Sequence, residues 1–252
     1  MSDPGTEYRF RDGAAALIAE IDEALESGEI DETGWHALVA EIIRPAYLGA
    51  ATPQAQSGFS GGPLAWEHAR GVIADAIDRD GTFLDVGCAN GLLMETMVRW
   101  CAAKGLAIAP YGLDIIAELA ALARARLPHW SDRIFVGNAL TWVPPTRFDY
   151  VRTGLEYVPP RRRRELIARL LREVVAADGR LVIGVYNEDR ALRPSLEEIV
   201  RGWGYPVSGK AERAHRYRVN EVQRVLWIDS AARRRGRSEE GAGASPSTIR
   251  DR

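Results

Sequence analysis

The chain has 252 residues, of which 46% are hydrophobic and 27% are charged, and its formal net charge at pH 7 is −2. These values are typical of an ordinary soluble protein, long enough for one α/β domain with a small appendage. No apolar run reaches the roughly 18 to 20 residues that a membrane helix needs, and residues 1–11 contain no signal-peptide core, so we expect a cytoplasmic protein without a membrane partner.

Helices are predicted in the first third of the chain. Apolar residues recur at helical spacing within residues 14–26 and again within residues 35–42. A third helix is predicted around residues 69–77. We expect residues 1–80 to form a helical cap or lid over the domain that follows.

The stretch 49–63 connects the second and third of these helices. It is rich in Gly, Ser, Gln and Pro and poor in large apolar residues. Such a stretch is either a lid that covers a substrate and excludes water or a passive connection. On the first alternative, Tyr47 and Phe59 are candidate substrate contacts; on the second, they are packing residues.

A turn of small residues follows the cap. Residues 82–86 are a β-branched and apolar run, and from Leu92 onward the apolar spacing becomes helical. The turn between them alternates Gly87, Ala89 and Gly91 with Cys88 and Asn90, so that backbone N–H groups can approach a ligand closely. This strand, turn and helix predict a site for a nucleoside or amino-acid cofactor.

Dinucleotides and S-adenosylmethionine both bind to turns of this kind. The dinucleotide fingerprint is G-x-G-x-x-G, but here Ala89 stands at the second glycine and Leu92 at the third. Asp85, just before the turn, would repel a pyrophosphate and can accept hydrogen bonds from an ammonium group. The stretch from Asp85 to Gly91 resembles motif I of the class I S-adenosylmethionine-dependent methyltransferases, in which an acidic residue precedes three alternating small residues.

The resemblance continues through the later predicted strands. Asp114 ends an apolar run at 106–113, where a carboxylate would bind the ribose diol or cap the next helix. Asn138 follows the strand 133–136, where the family commonly has Asp against the adenine amino group. The resemblance assigns ten residues to the cofactor: Asp85, Gly87, Ala89, Asn90, Gly91, Asp114, Ile115, Asn138, Ala139 and Thr153.

Strands and helices alternate five times, and further strands are predicted at 148–153 and 180–186 around a helix at about 162–177. This pattern predicts an α/β fold with a doubly wound, mostly parallel sheet and a ligand crevice at the C-terminal strand ends. With a helix near 196–203 and a closing hairpin of 221–229 against part of 207–218, the resemblance implies a Rossmann-like sheet of seven strands over 81–230. The Arg-rich tail 231–252 is expected to be disordered, or else to be a phosphate-binding arm.

The loop after the fourth strand is the expected acceptor side. Glu156 and Tyr157 are candidate substrate contacts or bases there, or Glu156 simply complements a helix dipole. Enzymes that methylate nucleic-acid bases usually have Asn/Asp-Pro-Pro-aromatic at this point, whereas this chain has Val158 before the two prolines. The following arginines, 161–164, either attract an anion or are solvated. We therefore expect a small-molecule acceptor rather than a nucleic-acid partner.

The predicted function is S-adenosylmethionine-dependent methylation of a small molecule at O or N by direct in-line transfer, with S-adenosylhomocysteine as product. An RNA-modifying methyltransferase, a cofactor-binding protein without turnover and a nucleotide-dependent oxidoreductase are the alternatives. Cys88, Cys101 and the four histidines show no metal-ligand spacing, so we expect reduced thiols and no metal. The sequence predicts neither the catalytic residue, the acceptor nor the oligomeric state.

Overall fold

The computed structural model describes residues 4–191, 193–216 and 218–231, with the backbone alone for residues 4–13. The predicted tail 231–252 lies outside the described residues, apart from Ala231. None of the helices in the described ranges is both long and apolar enough to cross a membrane.

The centre of the fold is a single sheet of seven strands in the order β3-β2-β1-β4-β5-β7-β6. The first five strands run parallel, whereas β7 is antiparallel to both β5 and β6. The predicted mostly parallel, seven-stranded Rossmann-like sheet is confirmed. The strands are β1 (Gly81–Val86), β2 (Ile108–Asp114), β3 (Ile134–Val136), β4 (Phe148–Thr153), β5 (Val175–Asp189), β6 (Gly209–Ala214) and β7 (Glu221–Asp229).

Seven α-helices surround the sheet in the described part of the chain. Local capping sets several of their ends: the Asp31 side chain accepts from Gly34 N at the start of α2, and Ser195 and Glu198 form a reciprocal capping box on α7. The helices are α1 (Pro4–Ser27), α2 (Glu32–Leu48), α3 (Pro63–Arg70), α4 (Leu92–Ala102), α5 (Ala117–Arg126), α6 (Arg163–Arg169) and α7 (Leu196–Gly202).

The helix predicted to reach residue 177 ends earlier. After α6 the chain continues as a wider π-helical turn, Leu170–Val174, and Val175 already begins β5. Val175 is fully buried and pairs with Phe148 of β4, after which the register shifts before Tyr150. Apolar spacing cannot distinguish a buried strand start from one more helical turn, so the prediction for 175–177 was wrong.

Side chains that alternate along the central strands form two hydrophobic cores, one on each face of the sheet. Leu84 and Val151 point to the face covered by α6 and α7, and Phe83 and Tyr150 point to the other face. The second face is covered by α3, by the 3-10 turn Gly71–Ala76 and by α4. The segment just before β1 therefore packs on the sheet, whereas α1 and α2 share a small core of their own around Trp35.

Candidate functional site

A pocket lies at the C-terminal ends of β1 to β4, beneath α2. Several elements distant in sequence converge on it, because the carboxyl ends of parallel strands meet at one edge of the sheet. Of the residues assigned from the sequence, those that line the pocket are Tyr47, Gly87, Ala89, Asp114, Ile115, Asn138, Ala139, Glu156 and Tyr157.

The glycine turn after β1 forms the floor of this pocket. Gly87 and Gly91 both have φ of 74°, and Ala89 has φ of 47°, so three alternating residues adopt left-handed backbone conformations. A Cβ on Gly87 would lie 2.5 Å from the Tyr157 ring, and one on Gly91 would lie 2.6 Å from Leu127. Gly87 therefore faces the pocket, whereas Gly91 packs closely against the helix layer.

Asp114 joins the end of β2 to the glycine turn. Its Oδ2 accepts a 2.8 Å hydrogen bond from Ala89 N, and its Oδ1 accepts a 2.9 Å hydrogen bond from Ile116 N. Burial raises the pKa of Asp114, and these two hydrogen bonds oppose the shift. Because a carboxylate offers about four lone-pair sites, both oxygens keep capacity for a ligand while they hold the loop.

The two asparagines assigned to the cofactor are engaged locally. Asn138 lines the pocket, but its Oδ1 accepts from Leu140 N at 2.8 Å. Asn90 is fully buried; its Oδ1 accepts from Leu92 N and its Nδ2 donates to Pro53 O at 2.8 Å. Asn90 thus accepts from the first residue of α4 and ties the stretch 49–63 to the glycine turn, without being part of the pocket lining.

Thr153, Asp85 and Phe59 also lie outside the pocket lining. Thr153 is buried and donates to Gly154 O. Phe59 packs edge-to-face on Trp66, with ring centroids 5.4 Å apart, against the opposite face of the sheet. The assignment of these residues to ligand binding therefore has no support from direct pocket contact.

Asp85 is held by a residue that the sequence analysis missed. Arg152, buried at the end of β4, donates through Nη1 to Asp85 Oδ1 at 3.2 Å and to the Tyr157 hydroxyl at 2.9 Å. Its Nε donates to Gly184 O at 2.7 Å. Burial raises the pKa of Asp85 to about 6, and the adjacent Arg152 guanidinium limits the shift. An arginine within the mostly apolar run of β4 was the sequence feature that could have identified Arg152 as a functional residue.

One face of α2 covers the pocket. The side chains involved are spaced at helical intervals, and the sequence analysis placed only the last of them at the site: Trp35, His36, Val39, Ala40, Ile43 and Tyr47. Burial lowers the pKa of His36, which lines the pocket. Only Ser57 of the stretch 49–63 reaches the pocket lining.

Ion pairs fasten α2 at both ends. At its start, Glu32 pairs with Arg161 at 3.3 Å and with Arg162, both from the turn before α6. Nearer its end, Arg44 pairs with Glu118 of α5 at 3.4 Å. Two arginines of the run after β4 thus have a defined role, because they hold α2 in place over the pocket.

Weakening this fastening should accelerate ligand exchange. We expect Glu32→Gln to raise the dissociation rate of S-adenosylhomocysteine by about two- to fivefold, because partly exposed ion pairs contribute only about 0.2 to 1 kcal/mol. Stopped-flow fluorescence of Trp35 and its neighbours would measure the rate. Molar salt, which screens the pairs, should bring the wild-type rate close to that of the variant.

Glu41→Gln is the matched control for this experiment. Glu41 is exposed on the same helix and has no ion pair among the described residues. Equal dissociation rates for the two variants would contradict the role of Glu32.

The residues of the pocket fit S-adenosylmethionine. Asp114 presents spare lone pairs to a ribose diol, and Gly87, which lines the pocket, lets the Tyr157 ring pack against the glycine turn. Ile115, 42% exposed at the end of β2, gives an apolar surface beside Asn138 that suits an adenine ring. No pyrophosphate-binding glycine stands at Leu92, which is buried in the first turn of α4.

No protein-family model and no curated protein matches the sequence. Solved structures do resemble the fold. The pyocyanin biosynthetic protein PhzM matches with 22% identity over 83% of this chain and 67% of its own, with a TM-score of 0.52. An O-methyltransferase family 2 protein from Planctomyces limnophilus, in complex with apigenin, matches with 14% identity over 77% and 63% of the two chains and a TM-score of 0.51.

A S-adenosylmethionine-dependent methyltransferase from Geobacter sulfurreducens, in complex with S-adenosylhomocysteine, is similar at 15% identity over 74% of this chain and 96% of its own, with a TM-score of 0.46. At such identities it is the fold that is shared. The parallel strands in the order 3-2-1-4-5, followed by the antiparallel pair β7 and β6, agree with the likeness to the PhzM and Planctomyces limnophilus structures. The chain has the fold of the class I S-adenosylmethionine-dependent methyltransferases.

Proposed function

We propose that this protein is a methyltransferase that transfers the methyl group of S-adenosylmethionine to O or N of a small molecule. The observation that carries the proposal is a single covered pocket that joins Asp114 and the glycine turn to Glu156 and Tyr157. The first pair suits the adenosine and methionine parts of the cofactor. The second pair lies where an acceptor would approach.

Bound S-adenosylmethionine supplies an electrophilic methyl carbon on a sulfonium. In-line displacement at that carbon needs alignment and the exclusion of water more than it needs a covalent nucleophile. The apolar face of α2, with Trp35 and Val39, covers the pocket, as the exclusion of water requires. Gly87 allows the Tyr157 ring to lie against the glycine turn, and Asp114 fixes the position of that turn.

A small acceptor is favoured over RNA. The pocket is lined, among the described residues, by two carboxylates and no lysine or arginine. Arg161 and Arg162 are paired with Glu32 rather than free for phosphates. These observations favour an acceptor without phosphate groups.

Calorimetry with S-adenosylhomocysteine and NAD tests the cofactor part of the proposal. We expect binding of the first ligand and no measurable heat with the second, because Asp85 and Leu92 disfavour a pyrophosphate on the turn. Transfer of labelled methyl from S-adenosylmethionine to a fractionated small-molecule extract, compared with total RNA, tests the acceptor. Preference for NAD would remove the proposal, and labelling of RNA alone would favour the RNA-modifying alternative.

A further inference from the structure

Glu156 is exposed in the loop after β4, yet its side chain is held in one position. Its Oε2 accepts a 2.6 Å hydrogen bond from the Tyr186 hydroxyl. The same hydroxyl oxygen accepts a hydrogen bond from Leu155 N, which fixes the direction in which Tyr186 donates. An exposed glutamate ordinarily keeps its rotamer freedom, so this hydrogen bond to a fixed hydroxyl limits the orientations that the carboxylate adopts.

Gly154 provides the space that this carboxylate occupies. A Cβ at Gly154 would lie 2.5 Å from the carboxyl carbon and from both carboxyl oxygens of Glu156. Any larger residue would displace the side chain. Gly154 therefore leaves room for the carboxylate. Leu155 N orients the Tyr186 hydroxyl, and this hydroxyl holds the carboxylate at the end of the pocket where the acceptor is expected to bind.

The second oxygen of Glu156 is available to a ligand. Tyr186 is its hydrogen-bond donor among the described residues, and it uses Oε2. Glu156 lines the pocket beside Tyr157, whose ring lies over Gly87. Among the described residues Oε1 accepts no hydrogen bond, and it belongs to the same pocket as the glycine turn.

We propose that Glu156 accepts the proton released by the methyl acceptor, and that the acceptor is an uncharged or cationic molecule that carries a hydroxyl or an amine. This inference rests on the proposed methyl transfer. An acceptor lone pair forms the bond to the methyl carbon, the carbon–sulfur bond breaks with its electron pair left on sulfur, and the O–H or N–H proton passes to Glu156. Tyr186 is the positioning residue.

The charge of the pocket sets the class of acceptor. An anionic acceptor would meet the carboxylates of Glu156 and Asp114, whereas Arg152, which contacts the lining residue Tyr157, is already paired with Asp85. A hydroxyl or an uncharged amine can instead donate to Glu156, and it keeps the lone pair that attacks the methyl carbon. Carboxylate and phosphate acceptors are therefore disfavoured.

Sinefungin tests the proposal without a known acceptor, because it carries an ammonium group in place of the methylsulfonium of the cofactor. Calorimetry would give the ratio of its affinity to that of neutral S-adenosylhomocysteine for the wild type, Glu156→Gln and the control Glu41→Gln. We expect Glu156→Gln to reduce this ratio by roughly ten- to a hundredfold, since a charge-assisted hydrogen bond is lost. S-adenosylhomocysteine affinity and the control ratio should stay within about twofold of wild type.

The outcomes separate the two proposals. If the wild type binds both ligands and Glu156→Gln keeps the wild-type ratio, Glu156 does not face the methyl position and its role fails. If the wild type binds neither ligand, the proposed function itself fails. Tyr186→Phe keeps the Glu156 carboxylate but removes the hydroxyl that holds it, so it should lower the affinity ratio of sinefungin to S-adenosylhomocysteine by a smaller factor. A ratio equal to that of wild type would overturn the positioning role of Tyr186.

Discussion

Replacing Asp229 by asparagine should destabilise the protein by about 3 to 5 kcal/mol, because it leaves a buried arginine without its main counter-charge. Arg180 and Asp229 are 2% and 1% exposed at the side chain, and Arg180 Nε lies 2.6 Å from Asp229 Oδ1. The guanidinium also lies 5.1 Å from the Trp227 ring centroid. Urea unfolding measures the loss, and the melting temperature should fall by roughly 2 to 4 °C for each kcal/mol.

The same arginine connects the sheet to the segment before it. Arg180 Nη1 donates to Ala76 O at 2.5 Å, and Nη2 lies 3.3 Å from Asp78 Oδ2, close enough for an ion pair though not oriented for a hydrogen bond. Amide exchange in residues 71–78 should therefore accelerate in Asp229→Asn. This readout distinguishes a local release of that segment from a uniform loss of stability.

Two comparisons control the stability prediction. Asp75→Asn removes a carboxylate that is 41% exposed and pairs with Lys104 and Arg213, so it should cost less than about 1 kcal/mol. Replacing Arg180 and Asp229 together by Met and Leu should recover much of the loss, since no unpaired charge remains. A single Asp229→Asn variant as stable as the control would show that Asp78 alone can neutralise Arg180.

The strands and their ends could be predicted because their signals are local. β1, β2 and β4 are short apolar runs that each end at a polar residue or a glycine turn, and the order of a parallel sheet brings those ends together. Asp114 was assigned to the ribose, with a cap on the next helix as a compatible second role. The structure shows that it holds the glycine turn through Ala89 N and also lines the pocket.

The features that could not be predicted depend on contacts between residues far apart in the chain. Arg152 neutralises Asp85 across 67 positions, and Glu32 meets Arg162 across 130 positions. Likewise, amphipathic spacing showed that α2 has an apolar face but not that this face covers the pocket. The composition of the stretch 49–63 led to the lid hypothesis. The structure shows that α2 supplies most of the residues that cover the pocket, and the lid role of the stretch 49–63 stays a prediction.

Replacing Asp114 by alanine should weaken S-adenosylhomocysteine binding by at least ten- to a hundredfold, since hydrogen bonds to a charged acceptor contribute about 1.5 to 3 kcal/mol. The substitution also removes the acceptor of Ala89 N and Ile116 N, so part of the loss will come from a loosened glycine turn. A simple affinity measurement cannot separate the two contributions. The ligand must therefore be changed together with the protein.

A cycle with the 2′-deoxy analogue of S-adenosylhomocysteine separates them. If Asp114 binds the ribose diol, the wild type should prefer the natural ligand by about tenfold or more, and Asp114→Ala should bind the two ligands almost equally. Asp132→Ala, which removes an exposed carboxylate from the turn before β3, should keep the wild-type preference. If Asp114→Ala bound both ligands weakly but retained the full preference, Asp114 would act only by shaping the turn, and the diol would have another partner in the pocket.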